Sequence, residues 1–440
     1  MRVRKYVAGL LAFLLLAAAG TAQAGAQESV PENPAEETRQ EAATVQENGA
    51  PGKTSSEDGV SEYTIGVVVY DPDSTEMGMF MNYYRDYIQA GFPVKFYFSG
   101  AVATAEEENA FIQSVKDLGA QGVISFAGYD LLDTLEFCRE QGMYYVLGSG
   151  TVDDGTYEEV KDNPYFLGCV GQRQEEICES GRNMAEYFLE TAPEAEHYII
   201  MSGGASRGNN RHAGRTQGML EVFQEQKGLI LEDDAAAVAQ TEETTVLHNA
   251  DQSLTVTICP DYTEGGDGLT NLEAAFAQGD CDALMSAFHA STYLDKITEQ
   301  ETAQGKNIMV GAIDSFTEQN FELIKEKDAF GNPSIDYVEG KYASMGGPAF
   351  AMLYNAISGY PETNTPDGNA VRLYQSLWAA RGRSEFIELY GYTSGIYENA
   401  YSCEDLMQVI RVFNEEASPE ALKELTESCT VEDVKARILG

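Results

Sequence analysis

Two charged residues lie where an α/β protein would bind a ligand. Asp314 directly follows the apolar run Ile308–Ile313, and Arg215 lies early in a helical segment that follows the apolar run Tyr198–Met201. Ligands bind outside the carboxyl ends of the strands in open α/β sheets. A carboxylate accepts hydrogen bonds and a guanidinium donates them, so the pair suits a ligand with several hydroxyl groups. The sequence therefore predicts that Asp314 and Arg215 contact a small polar ligand.

Both residues also have a structural interpretation. Asp314 could cap the helix predicted for the segment after it, and Arg215 could form an ordinary surface ion pair. A cation near the N-terminus of a helix opposes the helix dipole. This opposition favours a bound anion or polar ligand as the partner of Arg215.

The sequence shows no set of residues that clearly supports catalysis or nucleotide binding. The histidines, residues 197, 212, 248 and 289, are widely separated, and no H-E-x-x-H motif occurs. The loop Ser202–Gly208 lies between a predicted strand and a predicted helix, as a phosphate-binding loop would. It lacks the Lys-Ser/Thr pair of a P-loop. We therefore predict a binding protein without a cofactor or a metal site, and not an enzyme.

Apolar runs alternate with helix-length amphipathic segments through most of the chain. This alternation predicts parallel sheets wrapped by helices, and runs that are apolar throughout predict strands covered on both faces. The region after residue 62 is long enough for two domains with full cores. The predicted strands are residues 65–70, 94–98, 122–126 and 143–148 in the first half, and residues 197–204, 254–259, 282–288 and 307–314 in the second.

Several short sequences along this pattern resemble one family. They are GAQGVISF (119–126), RTQGM (215–219), MVGAID (309–314) and SMGGPAFAML (344–353). Over roughly residues 63–359, the chain resembles the type I periplasmic-binding-protein superfamily in its sugar-binding, ribose-binding-protein-like branch. The resemblance implies an α/β fold of two doubly wound parallel-sheet domains. A hinge of three crossovers would join them, with the ligand in the cleft between them.

The resemblance also implies a domain organisation. Residues 63–169, together with about 340–370, would form the N-terminal α/β lobe, and residues 170–339 the C-terminal α/β lobe. Residues 371–440 would hold a return strand and a helical extension. In that extension, Ser418 and Thr430 are predicted to cap two helices.

Some cleft residues follow only from the resemblance. Asp314 and Arg215 match positions that contact the ligand in the family. After the first strand the family offers an asparagine and aromatic residues to the sugar, and Glu76 and Phe80 are the nearest equivalents here. Phe80 could instead be a core residue, because it and the tyrosines that follow it have helical spacing.

Three departures from the family pattern bear on the ligand. Ser149 follows the fourth strand, where pentose binders carry an Asp-Arg pair, and Phe288 with His289 replaces an Asn-Asp pair. Tyr337 lies near the last crossover, where the glutamine of the family has no clear counterpart. His289 could instead be a hydrogen-bonded structural histidine. The departures argue against ribose and leave another sugar, a nucleoside or a signalling molecule open.

The N-terminal region predicts an exported protein. Residues 1–24 have the form of a signal peptide, with a basic start, an apolar stretch and Ala-Gln-Ala before Gly25. Residues 25–62 are acidic and contain no aromatic residue, leucine or isoleucine, which predicts a disordered linker. We therefore expect an extracytoplasmic location without direct membrane insertion after leader cleavage. A retained leader would anchor the chain instead.

Charge and cysteine usage narrow the possible partners. The formal net charge of −43 disfavours nucleic acid, whose phosphate backbone needs a basic protein face. The 7 cysteines are far apart and show no zinc-site spacing. Most lie in predicted strands or helices and are expected to be buried thiols, whereas Cys403 and Cys429 are a candidate disulfide.

Together these features predict a monomeric solute-binding protein. It would capture a small, sugar-like ligand by hinge closure and deliver it to the membrane permease of an ABC-type importer. A sensor that presents a signal molecule to a membrane receptor is the first alternative. A secreted α/β enzyme is the second.

Overall fold

Two sheets of mainly parallel strands form the framework of the protein. The computed structural model describes residues 62–393 and 397–439, so the predicted signal peptide and most of the predicted linker lie outside the described residues. The strands are β1 (Tyr63–Val69), β2 (Val94–Ala101), β3 (Gly122–Ser125), β4 (Tyr144–Leu147), β5 (Phe166–Gly171), β6 (His197–Gly203), β7 (Thr245–His248), β8 (Thr255–Pro260), β9 (Ala283–Ser286), β10 (Met309–Ile313), β11 (Tyr337–Gly340), β12 (Val371–Tyr374) and β13 (Trp378–Arg381).

Helices follow most of these strands, as the alternating pattern predicts. They are α1 (Thr75–Asn82), α2 (Gln89–Gly91), α3 (Ala105–Asp117), α4 (Leu131–Gln141), α5 (Asp154–Val160), α6 (Gln174–Thr191), α7 (Asn210–Lys227), α8 (Ala235–Val238), α9 (Gly268–Phe276), α10 (Leu294–Gln304), α11 (Glu318–Lys325), α12 (Gly347–Ile357), α13 (Arg383–Gly391), α14 (Cys403–Gln408), α15 (Pro419–Glu427) and α16 (Val431–Leu439). A π-helical turn, Tyr83–Ile88, joins α1 to α2. Among the described residues, no helix is both long and apolar enough to cross a membrane.

The two sheets define two lobes. The N-terminal lobe has the strand order β12-β5-β4-β3-β1-β2, and the C-terminal lobe has the order β13-β11-β10-β9-β6-β8-β7. Pairing is parallel except where β7 meets β8 and β11 meets β13. Strands such as β3 and β5 are buried along their whole length, because helices cover both faces. The predicted fold of two doubly wound parallel-sheet lobes is confirmed.

The chain passes between the lobes at three places. The first crossing lies between β5 and α6, the second between β11 and α12, and the third between β12 and β13. Helix α12 follows a strand of the C-terminal sheet but packs on β3, β4 and β5 of the N-terminal sheet. Parallel strands end at one edge of each sheet, so the crossings keep the carboxyl ends of the strands close to the boundary between the lobes.

The helical extension predicted for the C-terminus packs against both lobes and against the crossings. Helix α13 packs on α11 and β13, α14 on α12, and α15 on β12. At the third crossing, the Trp378 Nε1–H donates to the Cys429 carbonyl oxygen over 2.8 Å. At the first crossing, Arg173 forms an ion pair with Glu427 over 3.4 Å. Ser418 caps α15 and Thr430 accepts from the Asp433 amide, as predicted.

The predicted disulfide between Cys403 and Cys429 is wrong, because all the described cysteines are free. The two residues pack against different elements. The Cys403 thiol lies 3.9 Å from the Tyr87 carbonyl oxygen in the N-terminal lobe. The Cys429 sulfur accepts from the Ser376 amide over 3.2 Å at the third crossing.

Helices α6 and α7 approach each other closely through two glycines. A Cβ on Gly181 of α6 would lie 1.9 Å from the Arg215 carbonyl oxygen, and one on Gly218 of α7 would lie 2.0 Å from the Cys178 carbonyl oxygen. Any side chain at these positions would push the helices apart. The glycine of the RTQGM sequence therefore serves helix packing, and this packing sets the position of Arg215.

Replacing Gly181 with alanine is expected to lower the free energy of unfolding by at least about 2 kcal/mol, since overpacking against backbone atoms cannot relax through a rotamer change. Gly78→Ala is the matched control. A Cβ there meets nothing within 4 Å, and alanine favours the helix by up to about 1 kcal/mol. Urea unfolding of the two variants measures both effects. A Gly181→Ala variant as stable as the wild type would contradict the close helix contact.

Candidate ligand-binding cleft

A cavity of about 460 Å³ lies between the lobes. The N-terminal lobe contributes the loop after β1 and the start of α1. The C-terminal lobe contributes the first turns of α7 and the ends of β9, β10 and β11. The second crossing contributes Lys341, and the third contributes Leu377. The cavity therefore occupies the position where the carboxyl ends of parallel strands place a ligand.

Five of the predicted contact residues line this cavity, and three do not. The residues that line it are Glu76, Arg215, Phe288, His289 and Asp314. Phe80 and Tyr337 are core residues, and Ser149 lines a smaller pocket beside the cavity.

Glu76 connects the N-terminal lobe to the second crossing and to the C-terminal lobe. Its Oε1 lies 2.6 Å from the Lys341 Nζ, and its Oε2 accepts from the Ser315 hydroxyl over 2.7 Å. Burial alone would raise the pKa of Glu76, but the Lys341 ammonium and these hydrogen bonds lower it to about 2. Glu76 is thus an ionised carboxylate whose two oxygens are already engaged by protein groups.

Lys341 lines the cavity and was missed by sequence reasoning. It directly follows β11, and only 17% of its side chain is exposed. Burial lowers its pKa despite the Glu76 carboxylate, and the nearby Arg211 adds to the effect. The Glu76–Lys341 pair is therefore costly to break by removing one partner, whatever its net contribution to folding.

Asp314 stands at the end of β10 with its carboxylate held in place. Its Oδ2 accepts from the Asn320 side-chain amide over 2.7 Å, and its Oδ1 accepts from the Ser315 amide over 2.6 Å. The N-cap of the following helix α11 is Thr317 and not Asp314, so the capping interpretation is wrong. Burial raises the pKa of Asp314. The carboxylate oxygens can still accept bonds from ligand hydroxyls, since each has two lone pairs.

Arg215 lines the same cavity and is buried, with 9% of its surface exposed. Its Nη1 donates to the Ala287 carbonyl oxygen over 2.8 Å, while its Nε–H has no hydrogen-bond partner. The guanidinium forms no ion pair with any carboxylate in the described part of the chain, so the surface ion-pair interpretation is wrong. Burial and the charge of Arg211 lower the pKa of Arg215 to about 10. Because Arg215 lines the cavity, this free donor is available to a group that binds there.

Helix α7 presents a histidine to the same cavity. Asn209 caps α7 by accepting from the Arg211 and His212 amides. The His212 Nδ1 accepts from the Gly204 amide over 3.0 Å, and burial lowers the pKa of His212 to about 3. The ring is therefore neutral and carries its proton on Nε2, which leaves that nitrogen as a donor for a ligand.

Aromatic rings form one wall of the cavity. The Phe288 ring stacks on His212 with centroids 5.7 Å apart and meets Tyr262 edge-on at 6.5 Å. Gly204 makes room for this wall, because a Cβ there would lie 2.1 Å from the Tyr262 hydroxyl. His289 meets Phe288 edge-on and lies 3.5 Å from the Ser291 hydroxyl. Such rings can pack against the apolar face of a sugar.

The loop after β6 contains the sequence Gly204-Ala205-Ser206-Arg207-Gly208, the G-x-S-x-G pattern of a nucleophile elbow, which our sequence reasoning missed. The structure does not build a catalytic dyad there. The loop is a 3₁₀ helix, Gly204–Arg207, and the nearby His212 uses its Nδ1 to accept from a backbone amide. Ser206 makes no hydrogen bond to a histidine within the described residues. The pattern therefore gives no support to the enzyme alternative.

Phe80 and Tyr337 are corrections to the predicted site. Phe80 is 1% exposed and stacks on Phe126 at 4.7 Å in the N-terminal core, which agrees with its alternative interpretation. Tyr337 is fully buried in the C-terminal lobe and donates to Glu339 over 2.6 Å. Tyr337 and Glu339 are two residues apart in β11, so their side chains lie on the same face of the sheet. That face is buried within the C-terminal lobe.

A larger groove of about 650 Å³ lies between α1, the π-helical turn and α11. It is a weaker candidate for a sugar site. The charged residues that line it, Asp86, Glu318 and Glu322, are all acidic, so its described lining offers a ligand no cationic donor. The smaller cavity between the lobes combines both charges, neutral donors and an aromatic wall.

No family model matches the sequence, and neither does any curated protein. Among solved structures, the arabinose-binding component of an ABC transporter from Shewanella sp. ANA-3 has a TM-score of 0.51 at 13% identity, over 76% of this chain and 96% of that one. The chain has the type I periplasmic-binding-protein fold.

Two further structures support the same fold. A galactofuranose-binding protein gives a TM-score of 0.50 at 10% identity, over 76% of this chain and 99% of that one. A fructose-binding periplasmic domain of a hybrid two-component system gives a TM-score of 0.50 at 13% identity, over 76% and 95%. All three are described as binding proteins or binding domains, which agrees with the prediction of a binding protein.

Replacing Glu76 with glutamine (E76Q) leaves the Lys341 ammonium buried beside Arg211 and Arg215 without its carboxylate. We expect E76Q to lower the free energy of unfolding by about 2–4 kcal/mol, because the remaining charge is stranded. Lys341→Met (K341M) removes that charge, so the double variant is expected to be more stable than E76Q alone. Urea unfolding of the wild type, both single variants and the double variant measures this coupling. Strictly additive effects would contradict it.

The same pair predicts a pH dependence. The Glu76 pKa is lowered to about 2 from 4.5, so its contribution to stability is present above about pH 4.5 and is lost as the pH falls toward 2. The stability difference between wild type and E76Q should therefore be largest near neutral pH and shrink on acidification. A difference that stays constant down to about pH 2 would show that the carboxylate is not paired.

Proposed function

We propose that this protein is an extracytoplasmic solute-binding protein. It encloses a sugar or sugar-like ligand between its lobes and delivers the ligand to the permease of an ABC-type importer. The observation that carries the proposal is the buried Arg215, whose Nε–H lacks an acceptor and which lines the same cavity as Asp314.

The cavity has the size and chemistry for a monosaccharide. Its volume of about 460 Å³ falls within the range of pockets that bind small molecules, about 300–1,000 Å³. Asp314 supplies acceptors for hydroxyl hydrogens, and Arg215 and the neutral His212 supply donors for hydroxyl oxygens. Phe288 offers an apolar surface to the ring of the sugar.

Contacts across the cleft support a mechanism of hinge closure. Ser315 of the C-terminal lobe donates to Glu76 of the N-terminal lobe over 2.7 Å, and Arg211 donates to the Ser149 carbonyl oxygen over 3.5 Å. A ligand that enters between the lobes requires these contacts to open and then to form again. The three crossings are the segments that can bend during this motion.

The ligands of the structural neighbours guide the choice of compounds to test. The proteins that share the fold are described as binding arabinofuranose, galactofuranose and fructose. Each of these sugars presents several hydroxyl groups on a compact ring, which is the chemistry that the cavity residues can bond. Furanose-forming sugars are therefore the first compounds to screen.

A sensor is the second candidate function. It is favoured by one observation, namely that the fructose-binding neighbour is the periplasmic domain of a hybrid two-component system. The cleft would bind the ligand in the same way in either function. The difference lies in the partner that recognises the closed form.

A thermal-shift screen against sugars, polyols and nucleosides tests the binding function. A ligand at 100 times its Kd should stabilise the fold by about 2.7 kcal/mol. We expect Asp314→Asn and Arg215→Met each to abolish the shift given by the best compound. Arg139→Gln, which removes an exposed arginine paired with Glu136, is the control and should keep the shift.

A shift that survives in both cleft variants would contradict the proposed binding site. Uptake of the labelled ligand by cells with and without the gene then separates the two functions. Loss of uptake supports delivery to an importer. Normal uptake with a lost transcriptional response to the ligand supports the sensor instead.

A further inference from the structure

A second, much smaller pocket lies beside the main cavity. Its volume is about 10 Å³, which is enough for one water-sized group. Four side chains line both this pocket and the main cavity, namely Arg211, Arg215, Lys341 and Leu377. The small pocket, which we call the cationic pocket, is therefore a candidate subsite for part of the same ligand.

Three cations meet at the cationic pocket, in a protein whose formal net charge is −43. Arg211 and Arg215 form no ion pair with any carboxylate among the described residues. Within the described ranges, their guanidinium groups donate only to the carbonyl oxygens of Ser149, at 3.5 Å, and Ala287, at 2.8 Å. Lys341 is paired with Glu76. The described residues that line the pocket itself include no carboxylate, although Glu76, Asp314 and Glu339 lie close enough to act on the charge of Arg215.

Two buried donors at the cationic pocket have no acceptor. One is the Arg215 Nε–H, and the other is the Gln375 side-chain amide nitrogen, Nε2. Gln375 lies at the third crossing and is 2% exposed. An unpaired buried donor costs about 1–3 kcal/mol. Both residues line the cationic pocket, so an acceptor of about one oxygen atom in size placed there could pair with them.

The carboxylates nearest to these cations already have hydrogen-bond partners within the protein. Glu76 is bonded to Lys341 and Ser315, and Asp314 is bonded to Asn320 and to the Ser315 amide. Glu339 accepts from the Tyr337 hydroxyl inside the C-terminal lobe. None of these three carboxylates lines the cationic pocket.

We propose that the ligand is an acidic sugar, such as a uronate or an aldonate, and that one oxygen of its carboxylate occupies the cationic pocket between Arg211, Arg215 and Gln375. This inference rests on the proposed function and names the ligand class for that site. The hydroxyl groups of the sugar would remain in the main cavity with Asp314 and His212.

The surroundings of the cationic pocket favour a carboxylate over a phosphate. A carboxylate can place one oxygen in the pocket and direct the other toward the main cavity. A phosphate would direct two further charged oxygens toward the main cavity, which is lined by the carboxyl groups of Glu76 and Asp314. A bound water would satisfy the two donors but would leave the charges of the two arginines uncompensated. Charge-assisted hydrogen bonds from arginine to a carboxylate satisfy both needs.

Calorimetric titration with matched pairs of sugars tests the proposal. Galacturonate is compared with galactose, and arabinonate with arabinose, and galactose 6-phosphate serves as a third kind of ligand. We expect the acid in at least one pair to bind at least about tenfold more tightly than its neutral partner, because charged hydrogen bonds contribute more than neutral ones.

Two variants locate the source of this preference. Arg211→Gln removes a charge and Gln375→Leu removes a donor. Each is expected to reduce the preference for the acid over its neutral partner severalfold. Arg207→Gln is the matched control, since Arg207 is an exposed cation of the same lobe that is already paired with Asp261. It should leave the preference intact.

Several results would overturn the proposal. Equal affinities for acid and neutral sugars would leave the proposed function in place and remove the acidic-ligand inference. Tighter binding of the sugar phosphate than of the carboxylates would assign the pocket to a phosphate instead. If no sugar of any kind binds, the proposed function fails and the inference fails with it. A preference that persists in Arg211→Gln and Gln375→Leu would place the anion elsewhere.

Discussion

The candidate site depends on one constraint, which is that two parallel sheets are joined by three crossings of the chain. In a parallel sheet all strands end at the same edge, so polar residues that follow different strands are brought together. Asp314 after β10, Lys341 after β11 and Phe288 after β9 meet in this way. The crossings place Glu76 of the other lobe opposite them. Residues up to 265 positions apart, such as Glu76 and Lys341, thus form one polar cluster.

The electrostatics of the cleft favour ligand binding at the expense of stability. Arg215 is buried without an anionic partner in the described chain, and Lys341 is buried with a lowered pKa. Charges in such positions are costly in the empty protein. A ligand that supplies acceptors or negative charge lowers this cost. The free energy recovered in this way then contributes to binding. The extension that packs on the first and third crossings supports this arrangement from outside the cleft.

Much of the fold was predictable because the sequence pattern is local. Strands such as β1, β6 and β10 are apolar runs flanked by turn residues, and each was predicted within a few positions. Asp314 and Arg215 were predicted because their place after a strand is visible in the sequence. Lys341 was missed because β11 is a run of only 4 residues, too short and too polar at Glu339 to be recognised as a strand. Phe80 and Tyr337 were misplaced because sequence position does not tell which face of an element meets the core.

The most direct test of this account is a crystal structure of the protein with the sugar or sugar acid that stabilises it most. The account predicts that the ligand is enclosed between the lobes, that its hydroxyl groups bond to Asp314, and that the Arg215 Nε–H donates to it. A ligand bound in the larger groove between α1 and α11, with the cavity around Arg215 filled only by water, would contradict the account.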